Sequence, residues 1–234
     1  MKKNLIIIIP ARKGSSEIKN KNIKKVNGKP LIYYTCMLAN NIKNKNFEII
    51  GNTDCKNIAK IFNLYKINTP FLRPKKISNK YSLDISYINY TLNFFSKKSV
   101  WFKYGLILRP TSPLRSVKEF KKIFNKFKNN KKASSLRTVC LSDRTPFKMW
   151  KIKNDKLFPI LKQTKKEMYN MPRQLLDKIY FQDGAYEFFK IDYKEKINSI
   201  SGNYITYYKR NIKNLIDIDS KSDLVSFAKK LKTN

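Results

Sequence analysis

Histidine is absent from these 234 residues. With it go the Ser-His-Asp triad, the imidazole general base and any histidine-built metal site. Cysteine is nearly absent as well: Cys36, Cys55 and Cys140 are odd in number, widely spaced and free of any CxxC pair, so the chain encodes neither a disulfide framework nor a zinc set. They read as buried or incidental thiols of a reducing compartment. Acidic side chains number 16 against 51 Lys+Arg, a net charge of +35. Glycine-built phosphate motifs are missing too: there is no GxxxxGK[ST], and Gly14 stands alone where a dinucleotide fingerprint needs three glycines. The apolar run Leu5 to Ile9 is too short to span a bilayer, and no small-residue cleavage site follows it. The expectation is a cytoplasmic protein without membrane association. What remains for chemistry is carboxylates, hydroxyls, cations or a bound metal ion.

The positive charge does not itself name a partner. A nucleic-acid footprint gathers on one face or one helix, whereas here Lys is spread through every segment together with Asn and Ile, and no RNP-like alternation of basic and aromatic residues occurs. Nucleic acid is therefore not an expected partner.

The length suits one domain, residues 1–234, with a substantial excursion. Leu5 to Ile9 reads as a buried strand that ends at Pro10 in a basic loop. A helix is expected from Leu31 to Asn41, with Pro30 acceptable at its start, then a strand over Phe47 to Gly51 and a helix through Ile58 to Phe62. Ile67 to Leu72 is a short strand or an extended piece. Leu83, Ile85, Ile88, Leu92 and Phe95 place a helix over Ser82 to Phe95. Trp101 to Leu108 is another buried strand, stopped by Pro110 and Pro113, and Ser116 caps a helix from Val117 to Lys128. Alternating units of this kind predict an α/β fold with a doubly wound, mostly parallel sheet and ligands at the strand ends. From Ala133 the texture changes. Ser134 to Leu141 could be a strand, and residues 133–180 read as an inserted arm, or as an ordinary hairpin covering the sheet edge, followed by strands over Ile179 to Phe189 and Asn203 to Lys209 and a closing helix.

Two stretches carry chemistry. The loop after the first strand concentrates Arg12, Lys13, Ser15, Ser16, Lys19, Lys21 and Asn22, which is either a polyanion cradle or a solvated lysine-rich loop. Asp217-Ile218-Asp219 alternates so that both carboxylates share one side of an extended segment. Such a pair suits Mg²⁺, which takes its remaining ligands from water and substrate phosphates; the alternative is Asp219 as a helix N-cap.

These residues also carry a resemblance. IPARKGSSEIKNKNI (Ile9 to Ile23), Asn52-Thr53-Asp54, Leu72-Arg73-Pro74, LRPTSPLR (Leu108 to Arg115), Pro172-Arg173-Gln174, Asp183-Gly184-Ala185 and Asp217-Ile218-Asp219 occur in the order seen in the acylneuraminate cytidylyltransferases, the CMP-sialic acid synthetases and their relatives. The resemblance implies a Rossmann-like nucleotidyltransferase fold with a dimerisation arm. It also implies a reaction in which the anomeric hydroxyl of a nonulosonic or octulosonic acid attacks the α-phosphate of CTP. By the same resemblance, Ala11, Arg12, Ser15, Lys21, Asn22, Arg73, Ser82 and Asp84 would hold the nucleotide. Arg109, Arg173, Gln174 and Asp183 would approach the sugar, in part across a homodimer. Asp217 and Asp219 would bind Mg²⁺ and, with Arg12 and Lys21, form the catalytic set. The chain departs from the family at Lys13, Ser16 and Glu17 in the loop, and at Lys80, Arg109, Asp177 and Asp183. These departures gather more on the sugar side, which implies an acid other than N-acetylneuraminate, of legionaminate, pseudaminate or amino-octulosonate type. Another NDP-sugar product, or a catalytically silent binder, are the competing readings.

Overall fold

In a computed structural model, which describes residues 1–14, 17–162, 164–193 and 197–232, the first strand, β1 (Lys2–Pro10), lies in the middle of the molecule. Leu5, Ile6, Ile7, Ile8 and Ile9 are all at 0% exposure, because both faces of the strand are covered. Period-two alternation divides them: Leu5, Ile7 and Ile9 pack into one apolar layer, Ile6 and Ile8 into the other. Each such side chain contributes roughly 1.5–3 kcal/mol of burial before entropy is charged against it. This explains why the run is unbroken rather than alternating.

After β1 come two short strands, β2 (Lys25–Val26) and β3 (Lys29–Pro30), and helix α1 (Leu31–Ile42). β4 (Phe47–Asn52), α2 (Lys56–Leu64), α3 (Asp84–Ser96), β5 (Trp101–Ile107) and α4 (Val117–Asn129) complete the alternating half. Ser116 caps α4 by accepting from the Glu119 amide. The second half holds β6 (Ser135–Leu141), the hairpin β7 (Trp150–Lys153) and β8 (Lys156–Pro159), β9 (Tyr180–Lys190), β10 (Ile205–Lys209) and α5 (Lys221–Lys230).

The central sheet has six strands in the order β10-β6-β9-β5-β1-β4. β1 runs parallel to both β4 and β5, and β10 runs parallel to β6, while β9 is antiparallel to its two neighbours. The α/β, mostly parallel architecture expected from the sequence is therefore present. Helices α1, α2 and α4 cover one face, and α3 covers the other.

One open alternative is settled and two boundaries differ from the sequence reading. Residues 67–72 contribute only isolated bridges, Ile50 to Asn68 and Thr53 to Leu72, so the extended alternative is the one adopted. α3 starts at Asp84, and Leu83 stays outside it, 69% exposed; Tyr87 and Thr91 take inward positions that apolar counting alone does not assign. The excursion is also shorter than 133–180. Ser135–Leu141 is an interior strand paired on both sides, and the part that leaves the sheet lies after it, around the β7–β8 hairpin.

A third, smaller cluster decides where the C-terminal segment goes. Ile216 and Ile218 are buried with Ile18, Val26, Leu31 and Phe227. The Ile218 amide also donates to the Thr111 carbonyl at 2.9 Å. The end of the chain is thereby fastened beside the loops that follow β1 and β5.

Candidate active site

β1 is flanked by β4 on one side and β5 on the other, so the loops leaving its carboxyl end and theirs diverge and open a crevice. A cleft of ≈ 290 Å³ occupies that point, lined among others by Arg12, Lys21, Asn22, Arg73, Ser82, Asp84, Tyr87, Arg109, Thr111 and Asp219. Residues named from four separate stretches of sequence thus meet in one place.

The opening loop is held from outside itself. Asp54 accepts from the Lys13 amide at 2.8 Å, and Asn22 Nδ2 donates to the Arg12 carbonyl at 3.1 Å. Ala11 is buried, its amide donating to the Asn52 carbonyl at 2.9 Å. Arg12 and Lys21 therefore project from an anchored backbone. Lys21 Nζ reaches Asp219 Oδ1 at 2.7 Å, joining positions 198 apart in the chain. Ser15, also expected here, lies outside the described residues.

Asp217 and Asp219 stand on one side of their segment as the alternation predicts, with Ile216 and Ile218 buried on the other. Asp219 is not the helix cap: Ser220 caps α5 in a reciprocal box with Asp223. Asp217 remains solvent-accessible along its length, yet crowding around its carboxyl, with repulsion from Asp219, raises its pKa, while Thr111, Lys21 and Arg109 oppose the rise. Two hard oxygen donors under mutual repulsion, with a lysine drawn onto one of them, fit a small divalent cation. Among the described residues no group of three or more His, Cys, Asp or Glu could hold a metal ion. Further ligands for such an ion would come from water and from the substrate.

Arg73 is buried at 6% exposure, with no carboxylate within salt-bridge distance among the described residues. Its Nε donates to Asn52 Oδ1 at 2.6 Å and its Nη2 to the Asn52 carbonyl at 3.0 Å, and the guanidinium lies 4.4 Å from the centre of the Tyr87 ring. Desolvation lowers its pKa, with Tyr87, Asp54 and Asp84 acting the other way. Next to it, Ser82 Oγ and Tyr87 OH are buried without a hydrogen-bond partner among the described residues. A desolvated cation and two idle hydroxyls around one opening are groups waiting for acceptors.

Arg109 lines the opposite wall, paired with Asp84 and with Glu187. Burial works against its charge, but Glu187 and Asp84 outweigh it, and its pKa rises above the ordinary value.

Two groups expected at the sugar do not reach the cleft. Asp183 is 2% exposed and faces Arg210 at 2.7 Å, with Thr138 Oγ1 donating to its other oxygen. A buried carboxylate needs such a partner. Asp183 is a buried ion-pair member and does not line the cleft. Arg173 and Gln174 are exposed on a short turn, Arg173–Leu175, and do not line the cleft of their own chain.

Glu187, Tyr87 and Asn52 belong to the site and were not singled out as site residues by sequence reasoning. Glu187 had a signal: it is one of few acids in the chain and sits in an apolar strand, YFQDGAYEFFK. Tyr87 had none apart from its place on α3.

A cytidylyltransferase family model matches residues 6–187. A CMP-N,N'-diacetyllegionaminic acid synthase of Legionella pneumophila is 35% identical over 111 residues, 47% of this chain and 47% of that protein. A pseudaminic acid cytidylyltransferase of Campylobacter jejuni is 32% identical over 129 residues, 55% of this chain and 54% of that one. The aligned part of the chain thus spans about half the length of these relatives. In three dimensions, a CMP:2-keto-3-deoxy-manno-octonic acid synthetase complexed with CTP superposes with a TM-score of 0.68 at 12% identity, covering 98% of this chain and 99% of the other.

Proposed function

Because the chain belongs to the cytidylyltransferase family, we propose that it activates a nonulosonic or octulosonic acid with CTP, releasing a CMP-sugar and pyrophosphate. The observation that carries this reading is the convergence of Arg12, Lys21 and Arg73, a buried cation without a carboxylate partner among the described residues, with the Asp219 carboxylate on one cleft at the carboxyl ends of β1 and β5. The anomeric hydroxyl oxygen bonds to the α-phosphorus. The bond from that phosphorus to the α–β bridging oxygen breaks, and pyrophosphate leaves with the electron pair. The hydroxyl proton passes to a carboxylate of the Asp pair. Nothing in this step requires histidine; it requires neutralised phosphate charge and in-line placement.

Arg12 and Lys21 would neutralise the triphosphate, and Arg73 with Ser82 and Tyr87 would satisfy acceptors of the nucleotide. Asp217 and Asp219 would hold Mg²⁺, which when bound supplies positive charge to the phosphate oxygens. Lys21 then exchanges its contact with Asp219 for the phosphates.

The sugar is read as a legionaminate, pseudaminate or octulosonate type acid, supported by the names of the relatives and by the departures from the sialic-acid pattern. A homodimer is part of the proposal. Ile152, Leu157 and Phe158 on the hairpin are 79%, 58% and 46% exposed, an apolar surface that suits a second copy. Arg173 and Gln174 would then serve the cleft of the partner.

The test is pyrophosphate release from CTP across a panel of these acids and N-acetylneuraminate, with Asp217→Ala as control. Release with one or more of the nonulosonic or octulosonic acids, lost in the control, is expected. No release with any acid refutes the proposal, and equal use of N-acetylneuraminate refutes the choice of sugar.

A further inference from the structure

The cleft wall away from the opening loop is made by ionised side chains from three elements. Asp84 opens α3, Arg109 follows β5, and Glu187 lies inside β9, where its backbone pairs with Ile107. Arg109 Nε donates to Glu187 Oε1 at 2.7 Å, and Arg109 Nη2 donates to Asp84 Oδ2. A fourth group closes the set: Arg137 Nε lies 3.8 Å from Glu187 Oε2. Arg137 spends other hydrogens on the carbonyls of Leu136, Phe188 and Ile200. Only Asp84 and Arg109 reach the cleft; Glu187 and Arg137 are buried behind them at 3% and 7% exposure.

The signs decide what this wall can bind. Arg109 and Arg137 are balanced by Asp84 and Glu187, so the wall carries full charges and no net charge. A carboxylate arriving at Arg109 meets a cation already shared by two carboxylates, one of which, Asp84, stands at the same surface and repels it. The opposite wall differs: it brings three cations, Arg12, Lys21 and Arg73. Lys21 is paired with Asp219, and Arg73 lies in the field of Asp54 and Asp84 without a salt-bridge partner among the described residues, so this is where anionic charge is attracted. What the Arg109 wall does offer is direction. Arg109 Nη1 and Asp84 Oδ1 make no hydrogen bond to the described chain, so a fixed donor stands beside a fixed acceptor. Such a pair suits a group that both accepts and donates, a hydroxyl or an acylamino group.

We infer that Arg109 and Asp84 together determine specificity by reading an uncharged polar substituent of the sugar acid rather than its carboxylate, and that Glu187 is the positioning residue that aims and neutralises Arg109. This rests on the proposed cytidylyl transfer to a sugar acid. It assigns to Glu187, which cannot touch a ligand, a role exerted through Arg109, and it removes the acid's carboxylate from Arg109.

Steady-state kinetics of the full chain with the preferred sugar acid test this. Glu187→Gln frees Arg109 from one carboxylate and lets it swing fully onto Asp84. It should raise KM for the sugar acid about tenfold or more, the worth of one charge-assisted hydrogen bond, and leave KM for CTP within about twofold. Arg109→Gln, a change at the cleft surface that leaves Arg137 as the remaining cation beside Glu187, keeps the test alive if Glu187→Gln does not fold. It should give the same split. The carboxamide of the sugar, used as a competitive inhibitor, separates the two ligand groups: the Arg109→Gln penalty should persist with it. The inference is overturned if the penalty vanishes with the carboxamide, or if KM for CTP moves as much as KM for the sugar. It is also overturned if both variants bind the sugar like the unaltered chain. Absence of turnover by the unaltered chain with every acid would instead remove the underlying reaction, and this inference with it.

Discussion

Arg73 is where stability and function pull in opposite directions, and Arg73→Met separates them. The substitution keeps an unbranched, largely apolar stem, shorter than that of Arg, and removes the charge. On the folding side, it gives up hydrogen bonds to Asn52 Oδ1 and to the Asn52 carbonyl, at 2.6 and 3.0 Å, and the stacking on Tyr87. Charge-assisted bonds contribute about 1.5–3 kcal/mol each, and a desolvated cation–π contact adds roughly 2 kcal/mol. Against that, a buried cation without a carboxylate partner carries a desolvation cost of several kcal/mol, which Met does not. These terms largely cancel. The expected net loss of stability is under about 3 kcal/mol, reduced further by sulfur–aromatic contact with Tyr87. On the ligand side nothing cancels. The lost interaction with a nucleotide acceptor is worth about 1.5–3 kcal/mol, or roughly 10- to 150-fold in KM for CTP. Denaturant unfolding and CTP titration of the same preparation read both numbers, and the rise in Tm caused by saturating CTP should shrink in the variant. A variant destabilised by more than about 5 kcal/mol with unchanged KM for CTP would refute the reasoning. It would mean that Arg73 serves the fold through Asn52 and is not held charged for a ligand.

Other outcomes follow from the same structure. Asp217 has a raised pKa, so its ionised form is penalised in the folded state. The penalty is felt as pH rises through that pKa; metal-free Asp217→Asn should therefore unfold at neutral pH no earlier than the unaltered chain, while pyrophosphate release is lost. The Ser220–Asp223 box fastens the segment carrying the Asp pair. Asp223 accepts from the Ser220 and Asp219 amides and its pKa is lowered, burial opposing and those bonds prevailing, so Asp223→Ala should cost stability at neutral pH. The difference from the unaltered chain should fade in denaturation curves as pH falls through the lowered pKa. Gly105 has no room for a side chain, since a Cβ there would collide with the Phe189 ring. Gly105→Ala should therefore lower Tm sharply without altering KM in whatever fraction folds. Phe158→Glu on the hairpin should shift the sedimentation coefficient from dimer to monomer; an unmoved boundary would place the interface elsewhere.

Local rules account for the elements. An unbroken apolar run that stops at Pro10 can only be a strand covered on both faces, and Ser116 before an amphipathic stretch is a helix start wherever it occurs. The alternation that puts Asp217 and Asp219 on one side is likewise local, a consequence of extended backbone. The composition of the opening loop offered Arg12, Lys21 and Asn22, resemblance to a family added Arg73, Ser82 and Asp84, and all of these meet at or beside one cleft. Their partners were not legible, because ion pairs are long-range choices. Arg109 pairs with Asp84 and with Glu187, which lies 78 positions later on an antiparallel strand, and that pairing exists only once β9 lies beside β5. Asp183 looks in sequence like a ligand contact, but Arg210 arrives from β10's far end and makes it a buried ion pair. Lys21 and Asp219 illustrate the division best. Their chemical types and local geometry are set by the residues around each, but the 2.7 Å between them depends on Ile216 and Ile218 burying against Ile18, Val26, Leu31 and Phe227. Sequence by itself determined which groups were offered and on which face of each element. The tertiary structure decided which charges are spent on one another and which remain to meet a ligand, because Coulomb energy depends on distances that only the packed core sets.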